Sequence, residues 1–225
     1  MALDGITIAN IVTELRSSLL GGRIAKIAQP EADELLLTIK TSGSASLPLV
    51  YLTGENKPSP FTAPNFCMLL RKHIANGRII SIIQPSLERI IVLEIEHLDE
   101  LGDLCRKKLI LEIMGKHSNI IFCDANNRIL DSIKHVPAQM SSVREVLPGR
   151  TYFIPDTMHK ADPLTVSEDD FAALLTEKPT ALSKALYTSM TGISPVAAQE
   201  ICYLAGLDSD LPPSELSEDL MTHLY

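Results

Sequence analysis

The sequence has little of what marks a membrane protein, a secreted scaffold or a nucleotide-driven enzyme. No apolar run in its 225 residues approaches the ~20 residues that a membrane span needs, so no membrane partner is expected. The opening segment MALDGITIAN carries an acid and no cationic lead-in, and does not read as a secretory signal. Cysteine is sparse: Cys67, Cys105, Cys123 and Cys202. They form no CxxC pair and no Cys/His ligand cluster, which speaks against structural zinc and against a disulfide framework. A Gly-rich phosphate loop, GxSxG and HExxH are all missing, as are internal repeats. These absences predict a reduced, cytoplasmic protein with no metal, no cofactor and no catalytic side chain.

What is present is an ordinary globular composition, 45% hydrophobic and 21% charged, in a chain long enough to bury roughly 70% of its unfolded surface. The net charge of −8 hides an asymmetry. Residues 1–150 carry 17 Lys/Arg and 16 Asp/Glu, whereas residues 151–225 carry 3 and 12. An acidic average argues against nucleic acid as a partner, but here only for the last third. The first part is free to present a local basic face.

Ile8, Ile11, Val12, Leu15 and Leu19 recur at helical spacing and predict a helix near 5–20, stopped by Gly21-Gly22. Short β-type runs follow at 23–28, 35–40 and 49–52, then a loop at 54–64 and a second helix through Phe66, Leu69, Leu70, His73 and Ile74. The middle is strand-rich, with runs at 78–84, 89–96, 107–113, 118–123 and 129–133. Strands in succession without intervening helices favour antiparallel pairing. Polar and proline-rich residues at 148–165 mark a boundary. Beyond it Ser167 and three acids open the first of several short helices. The expectation is an α+β domain over 1–160 and a small all-α domain over 165–225.

Several residues admit two readings. Arg71, Lys72 and His73 end the second helix, either as cations at its negative end or as a phosphate-facing cluster. Glu88 and Arg89 open a strand, either as surface ions or with the Arg forking hydrogen bonds to phosphate or a base edge. On that strand Arg89, Ile91, Leu93 and Ile95 share one face by period-two alternation. Gly115 interrupts the run LEIMGKHSNII, and Lys116, His117, Ser118 and Asn119 follow as a solvated turn or as one that contacts RNA or anchors a domain. His117 and His135 have no carboxylate or nucleophile at a diagnostic spacing, and Glu168, Asp169 and Asp170 are placed for helix capping. Near the end, Thr191-Gly-Ile-Ser194 between two helical stretches is similar to a helix-hairpin-helix. Its second glycine is replaced by Ser194 and cations are few, so a packing module is favoured over a phosphate clamp.

In this order, LDG at 3–5, LLGGRIAKIAQP at 19–30, NFCMLLRKHIANGRI at 65–79, LERII at 87–91, LGDL at 101–104, LEIMGKHSNIIF at 111–122, ILDSIKHVP at 129–137 and VLPGRTY at 146–152 resemble the N-terminal part of the NFACT family. GISPVAAQEI extends the likeness to about residue 207. The resemblance implies an antiparallel β-sandwich with flanking helices, related to the N-terminal domain of Fpg/MutM-type DNA glycosylases, followed by a small all-α helix-hairpin-helix domain. Those glycosylases use an N-terminal proline amine followed by an acid. This chain begins Met1-Ala2-Leu3-Asp4, so the amine nucleophile is missing and no enzyme activity is implied.

The family implies a role in ribosome quality control: binding a large ribosomal subunit obstructed by peptidyl-tRNA and recruiting tRNA, alanyl-tRNA in the bacterial branch, for alanine tailing without mRNA. A small RNA-binding partner of the RqcP type goes with that role. Carried over by the resemblance, the tRNA-binding residues are Asp4, Glu88, Arg89, Glu112, Ile113, Met114, Lys116 and His117. Glu88 stands where the family has Asp, and Lys116 where many members have Arg. About a strand of family residues is missing between Gly43 and Ser44, and the chain reads as an N-terminal fragment. A fibronectin-binding surface adhesin and a DNA-repair protein are the alternatives.

Overall fold

A computed structural model describes residues 3–41, 47–49 (backbone), 60–155 and 159–225. It divides into two compact units that interleave along the chain: a sheet unit of 11–83 and 90–155, and a helical unit of 1–10, 84–89 and 156–225. The linear boundary expected near 160 lies close to the last crossing. The segments 1–10 and 84–89 nevertheless group with the helical region, because long-range backbone contacts hold them there.

Eight described strands make the sheet: β1 (Arg23–Ala28), β2 (Leu36–Lys40), β3 (Leu47–Leu49), β4 (Arg78–Ile83), β5 (Ile90–Leu98), β6 (Leu104–Glu112), β7 (Asn119–Asp124) and β8 (Ile129–Ser132). Every pairing is antiparallel, in the order β3-β2-β1-β4-β5-β6-β7-β8. The expected antiparallel pairing is present, and the described strands form one continuous hydrogen-bonded sheet. Its junction between β1 and β4 is narrow, with Arg23 opposite Arg78 and backbone bonds from Gly21 N to Ile79 O (2.8 Å) and Ile79 N to Gly22 O (2.9 Å).

Helix α1 (Gly5–Leu19) buries Ile8, Val12 and Leu19 at the expected spacing. Helix α2 (Asn65–Ile74) buries Phe66, Cys67, Leu70 and Ile74 and packs on β1 and β5. Another cluster joins Ile90, Val92, Ile110, Ile121, Cys123 and Ile129 to Val146 and Tyr152. Ile90 through Leu93 are therefore all buried, and alternation returns only at Glu94 and Glu96. Such two-sided burial reads as a continuous apolar run rather than a strict alternation.

The helical unit contains α3 (Glu168–Thr176), α4 (Leu182–Ser189), α5 (Pro195–Leu204) and α6 (Glu218–Leu224). Ser167, Ser194 and Ser217 cap α3, α5 and α6 by accepting from the backbone N–H of Asp170, Ala197 and Leu220. Phe171, Leu175, Leu182, Leu186, Met190 and Cys202 centre its core. No helix among the described residues is long and apolar enough to cross a membrane.

Two expectations shift at element edges. Glu88 and Arg89 precede β5, which begins at Ile90, and Gly115 opens a 3-10 turn between β6 and β7 instead of interrupting a strand. Met1-Ala2, the gap between Gly43 and Ser44, residues 50–52 of the expected third β-type run and residues 54–59 of the expected loop lie outside the described residues.

Candidate nucleic-acid interface

In the sheet unit the expected segment Glu112–His117 splits into a buried root and an exposed tip. Glu112, the last residue of β6, is buried. Its Oε1 accepts from Arg144 Nη2 at 2.5 Å and from the Tyr152 hydroxyl at 2.9 Å. The Arg144 guanidinium lies over the Tyr152 ring, 5.3 Å from its centroid, and donates to Phe153 O. Burial works against the charge of Arg144, but the Glu112 carboxylate outweighs it and raises its pKa. Burial, followed by the Glu112 charge, raises that of Tyr152. Glu112 is thus engaged in a buried ion pair, and Ile113 and Met114 emerge from it half-buried.

The tip is tied down on its far side. Met114 N donates to Ser118 Oγ at 2.9 Å. Asn119 Nδ2 donates to Lys134 O, and Asn119 Oδ1 accepts from Ile120 N and Lys134 N. Gly115 takes φ +59 with nothing within 4 Å of where a Cβ would stand. Ser118 and Asn119 are therefore used internally, while Lys116 and His117 are exposed. The arrangement presents one cation and one imidazole on a rigid base, suited to backbone contacts with a polyanion.

Arg71 and Lys72 are both exposed on α2. Arg71 Nε donates to Ile27 O at 2.8 Å, tying α2 to β1. Lys72 faces Glu100 at 3.0 Å in a pair exposed on both sides. Neither contact is with the end of α2 itself.

In the helical unit Asp4 caps α1. Its Oδ1 accepts from Thr7 N (2.9 Å) and the Thr7 hydroxyl (2.8 Å), and its Oδ2 accepts from Ser194 Oγ at 2.5 Å. Burial pushes the Asp4 carboxyl up, but the bonds from Ser194 and Thr7 outweigh it and hold the pKa below its usual 3.8. Beside it, Gly5 N donates to Gly192 O at 2.9 Å. A Cβ on Gly5 would fall 2.0 Å from Leu87 O, and one on Gly192, which has φ +75, would fall 2.3 Å from the same oxygen. Gln84 Nε2 donates to both Gly5 O and Glu88 O at 2.8 Å. Three segments remote in sequence therefore meet backbone to backbone. The LDG and TGIS motifs serve that junction, and both carboxylate oxygens of Asp4 are occupied within the protein.

The same junction holds the loop that carries Glu88 and Arg89. Both are half-buried, and Arg89 forms no ion pair or hydrogen bond among the described residues. Of the expected residues, Asp4, Glu88 and Arg89 thus gather in the helical unit, while Glu112 to His117, Arg71 and Lys72 belong to the sheet unit. The partners Arg144 and Tyr152 were not anticipated, since nothing in the sequence links them to Glu112. The capping role of Ser194 was legible as a serine before a helix-opening proline. Among the described residues no group of three or more His, Cys, Asp or Glu is placed to hold a metal ion.

The chain is similar to known proteins in sequence and in fold. The family model of the NFACT N-terminal and middle domains matches residues 4–225. The Rqc2 homolog RqcH of Bacillus subtilis is 39% identical over 217 residues, covering 92% of this chain and 38% of that protein. The N-terminal structure of the fibronectin/fibrinogen-binding protein from Streptococcus suis superposes with TM-score 0.80 at 33% identity, covering 98% of this chain and 82% of that one. The N-terminal domain of fibronectin-binding protein PavA from Streptococcus pneumoniae gives 0.78 at 34% identity, covering 90% and 79%. The chain spans about two fifths of the length of the RqcH proteins it matches. By sequence over nearly its whole length, and by fold, the chain belongs to the NFACT family.

Proposed function

We propose that this chain is the tRNA-binding N-terminal module of a cytoplasmic ribosome quality-control factor, one that engages large subunits obstructed by peptidyl-tRNA and recruits alanyl-tRNA for mRNA-independent alanine tailing. The observation that carries the reading is kinship with RqcH at 39% identity over 92% of the chain. The exposed Lys116–His117 tip and the unpaired Arg89 support it, because a polyanion needs cations that are not already neutralised. Peptide-bond formation belongs to the ribosome in this reading. The protein positions the tRNA and supplies no catalytic residue, and a small RNA-binding partner of the RqcP type acts alongside it. The helix-turn-helix of α4 and α5 is read as a helix-hairpin-helix used for packing, and the sheet as a relative of the glycosylase N-terminal domain.

Within this proposal Glu112 positions and does not contact. Paired with Arg144, it anchors the strand end from which Ile113 and Met114 project toward the tRNA. Asp4 likewise holds the junction that presents Arg89. The test is Arg89→Ala in the full-length protein. Alanine tailing should fall strongly, because a lost guanidinium contact is worth ~1–3 kcal/mol. Melting temperature and co-sedimentation with obstructed large subunits should be retained. Normal tailing would remove Arg89 from the interface, and a collapse in melting temperature would make it structural. A second reading, binding of fibronectin, is favoured by the name of PavA. Surface plasmon resonance of the chain on immobilised fibronectin, beside immobilised tRNA, separates the two.

A further inference from the structure

The helical unit is the acidic part of the molecule. Its segments hold 14 Asp/Glu and only four cations, Arg89, Lys160, Lys178 and Lys184. With so many carboxylates available, each cation would be expected to find one. Lys160 and Lys178 instead turn onto neutral groups on consecutive residues in the last turn of α4. Lys160 Nζ donates to Tyr187 O at 2.6 Å, and Lys178 Nζ donates to Thr188 Oγ1 at 3.3 Å. Neither makes an ion pair among the described residues.

Arg89 is brought to the same place through the backbone. Residues 160–161 run beside 189–191: Ala161 pairs with Met190, Ala161 N donates to Ser189 O, and Thr191 N donates to Ala161 O, both at 2.8 Å. Leu87 lies against Gly192 closely enough to exclude a Cβ there, which sets the 84–89 loop on the following residue of that segment. Lys160 feels the charges of its neighbours. Burial lowers the pKa of Lys160 first, and the charges of Lys178 and Arg89 lower it further, with Glu88 opposing them.

A structural role accounts for one of these cations. A lysine that meets the last carbonyls of a helix satisfies them and complements its dipole. It does not account for three like charges gathered where carboxylates are plentiful, since each repels the others and Lys160 also gives up hydration. Such a cluster becomes favourable when an anion occupies it. We infer that Lys160 and Lys178 join Arg89 in a phosphate-binding site for the tRNA backbone on the helical unit. The inference rests on the tRNA reading above and adds residues outside the motifs that carry the family resemblance. The acidic surroundings then confine the polyanion to this patch and repel it elsewhere.

The test is the salt dependence of binding of fluorescein-labelled deacylated tRNA to the chain, measured by anisotropy. Each phosphate contact contributes about 0.7–0.9 to the slope of log affinity against log salt. Lys160→Gln and Lys178→Gln keep a donor for Tyr187 O and Thr188 Oγ1 while removing the charge. Each should make the slope shallower by about 0.7–0.9, which at 0.1 M salt is roughly a five- to eightfold loss of affinity relative to 1 M salt. The double variant should lose about twice that slope. Lys160→Arg, Lys178→Arg and the control Lys184→Gln should keep the wild-type slope. Gln variants with an unchanged slope overturn the site while leaving the tRNA reading in place. A slope lost equally by the Arg variants makes the lysines structural and also overturns it. If wild type itself fails to bind tRNA, the broader reading fails and takes the site with it.

Discussion

In the sheet unit Glu112, with 2% of its side chain exposed, meets the Arg144 guanidinium at 2.5 Å. In the helical unit Arg89, Lys160 and Lys178 meet no carboxylate among the described residues, although acids outnumber cations there 14 to 4. The contrast separates two uses of charge. A carboxylate buried in a dry strand end must be paired, because an uncompensated ion there costs several kcal/mol. Half-buried cations can stay without an ion pair, because their long side chains keep the charged end within reach of water. The units also differ in what holds them together. Side-chain burial on both faces of β5 to β7 dominates the sheet unit. The helical unit adds a junction of bare backbone at Gly5, Leu87 and Gly192.

The largest effect should come from breaking the buried pair. Arg144→Ala removes the cation from the buried pair and leaves Glu112 with only the Tyr152 hydroxyl, and should cost about 3–5 kcal/mol, read as a lower midpoint in urea unfolding. Arg144→Ala combined with Glu112→Leu should recover much of that loss, since an apolar replacement of both partners removes the unpaired charge. Recovery of stability without recovery of tRNA binding would assign Glu112 its positioning role.

Next in size is Gly192→Ala. The new Cβ meets Leu87 O and Leu87 Cβ at 2.3 and 2.4 Å in a backbone with φ +75, and overpacking of this kind costs about 1–3 kcal/mol. Hydrogen exchange should show lost amide protection in α4 and α5, with β5 to β7 keeping theirs. Equal loss throughout would mean that the two units unfold as one.

Asp4 gives a smaller, pH-dependent effect. Its folded pKa is depressed, so its contribution is fully present above the ordinary carboxyl value of 3.8 and is lost as pH falls through the folded value. Asp4→Ala should cost about 1 kcal/mol at neutral pH. Its difference from wild type should shrink in acid below pH 3.8, as thermal melts across that range would reveal. A difference that stays constant into acid would show that the charge of Asp4 is not what the Ser194 bond uses. The smallest effect belongs to Lys72→Ala. Its pair with Glu100 is exposed on both sides and should contribute less than about 1 kcal/mol, with 0.5 M salt erasing most of it in the same melts.

Much of the element list was legible because its signals are local. Helical spacing from Ile8 to Leu19 anticipated α1, and Ser167 followed by three acids anticipated the start of α3. Aliphatic runs anticipated β4 to β8 to within three residues at each end. The site was less legible. Arg89 reads as the opening of a strand, since a β-type run follows it. It lies instead in a loop whose position is set by Leu87 against Gly192, more than 100 positions away. Glu112 reads as part of a β-type run and, by the resemblance, as a tRNA-binding residue, yet Arg144 lies 32 residues further on at no spacing that any periodicity would notice.

What the sequence determined by itself was the set of elements, their antiparallel habit, the charge asymmetry and the family, all carried by neighbouring residues or by motifs in order. What only the tertiary structure decided was which charges are spent and which are free. Glu112 and Asp4 are occupied, and Arg89, Lys160 and Lys178 form no ion pair among the described residues. The physical reason is that an ion's availability depends on its desolvation and on the partner within hydrogen-bond reach. For these residues that partner is supplied by a distant stretch of chain.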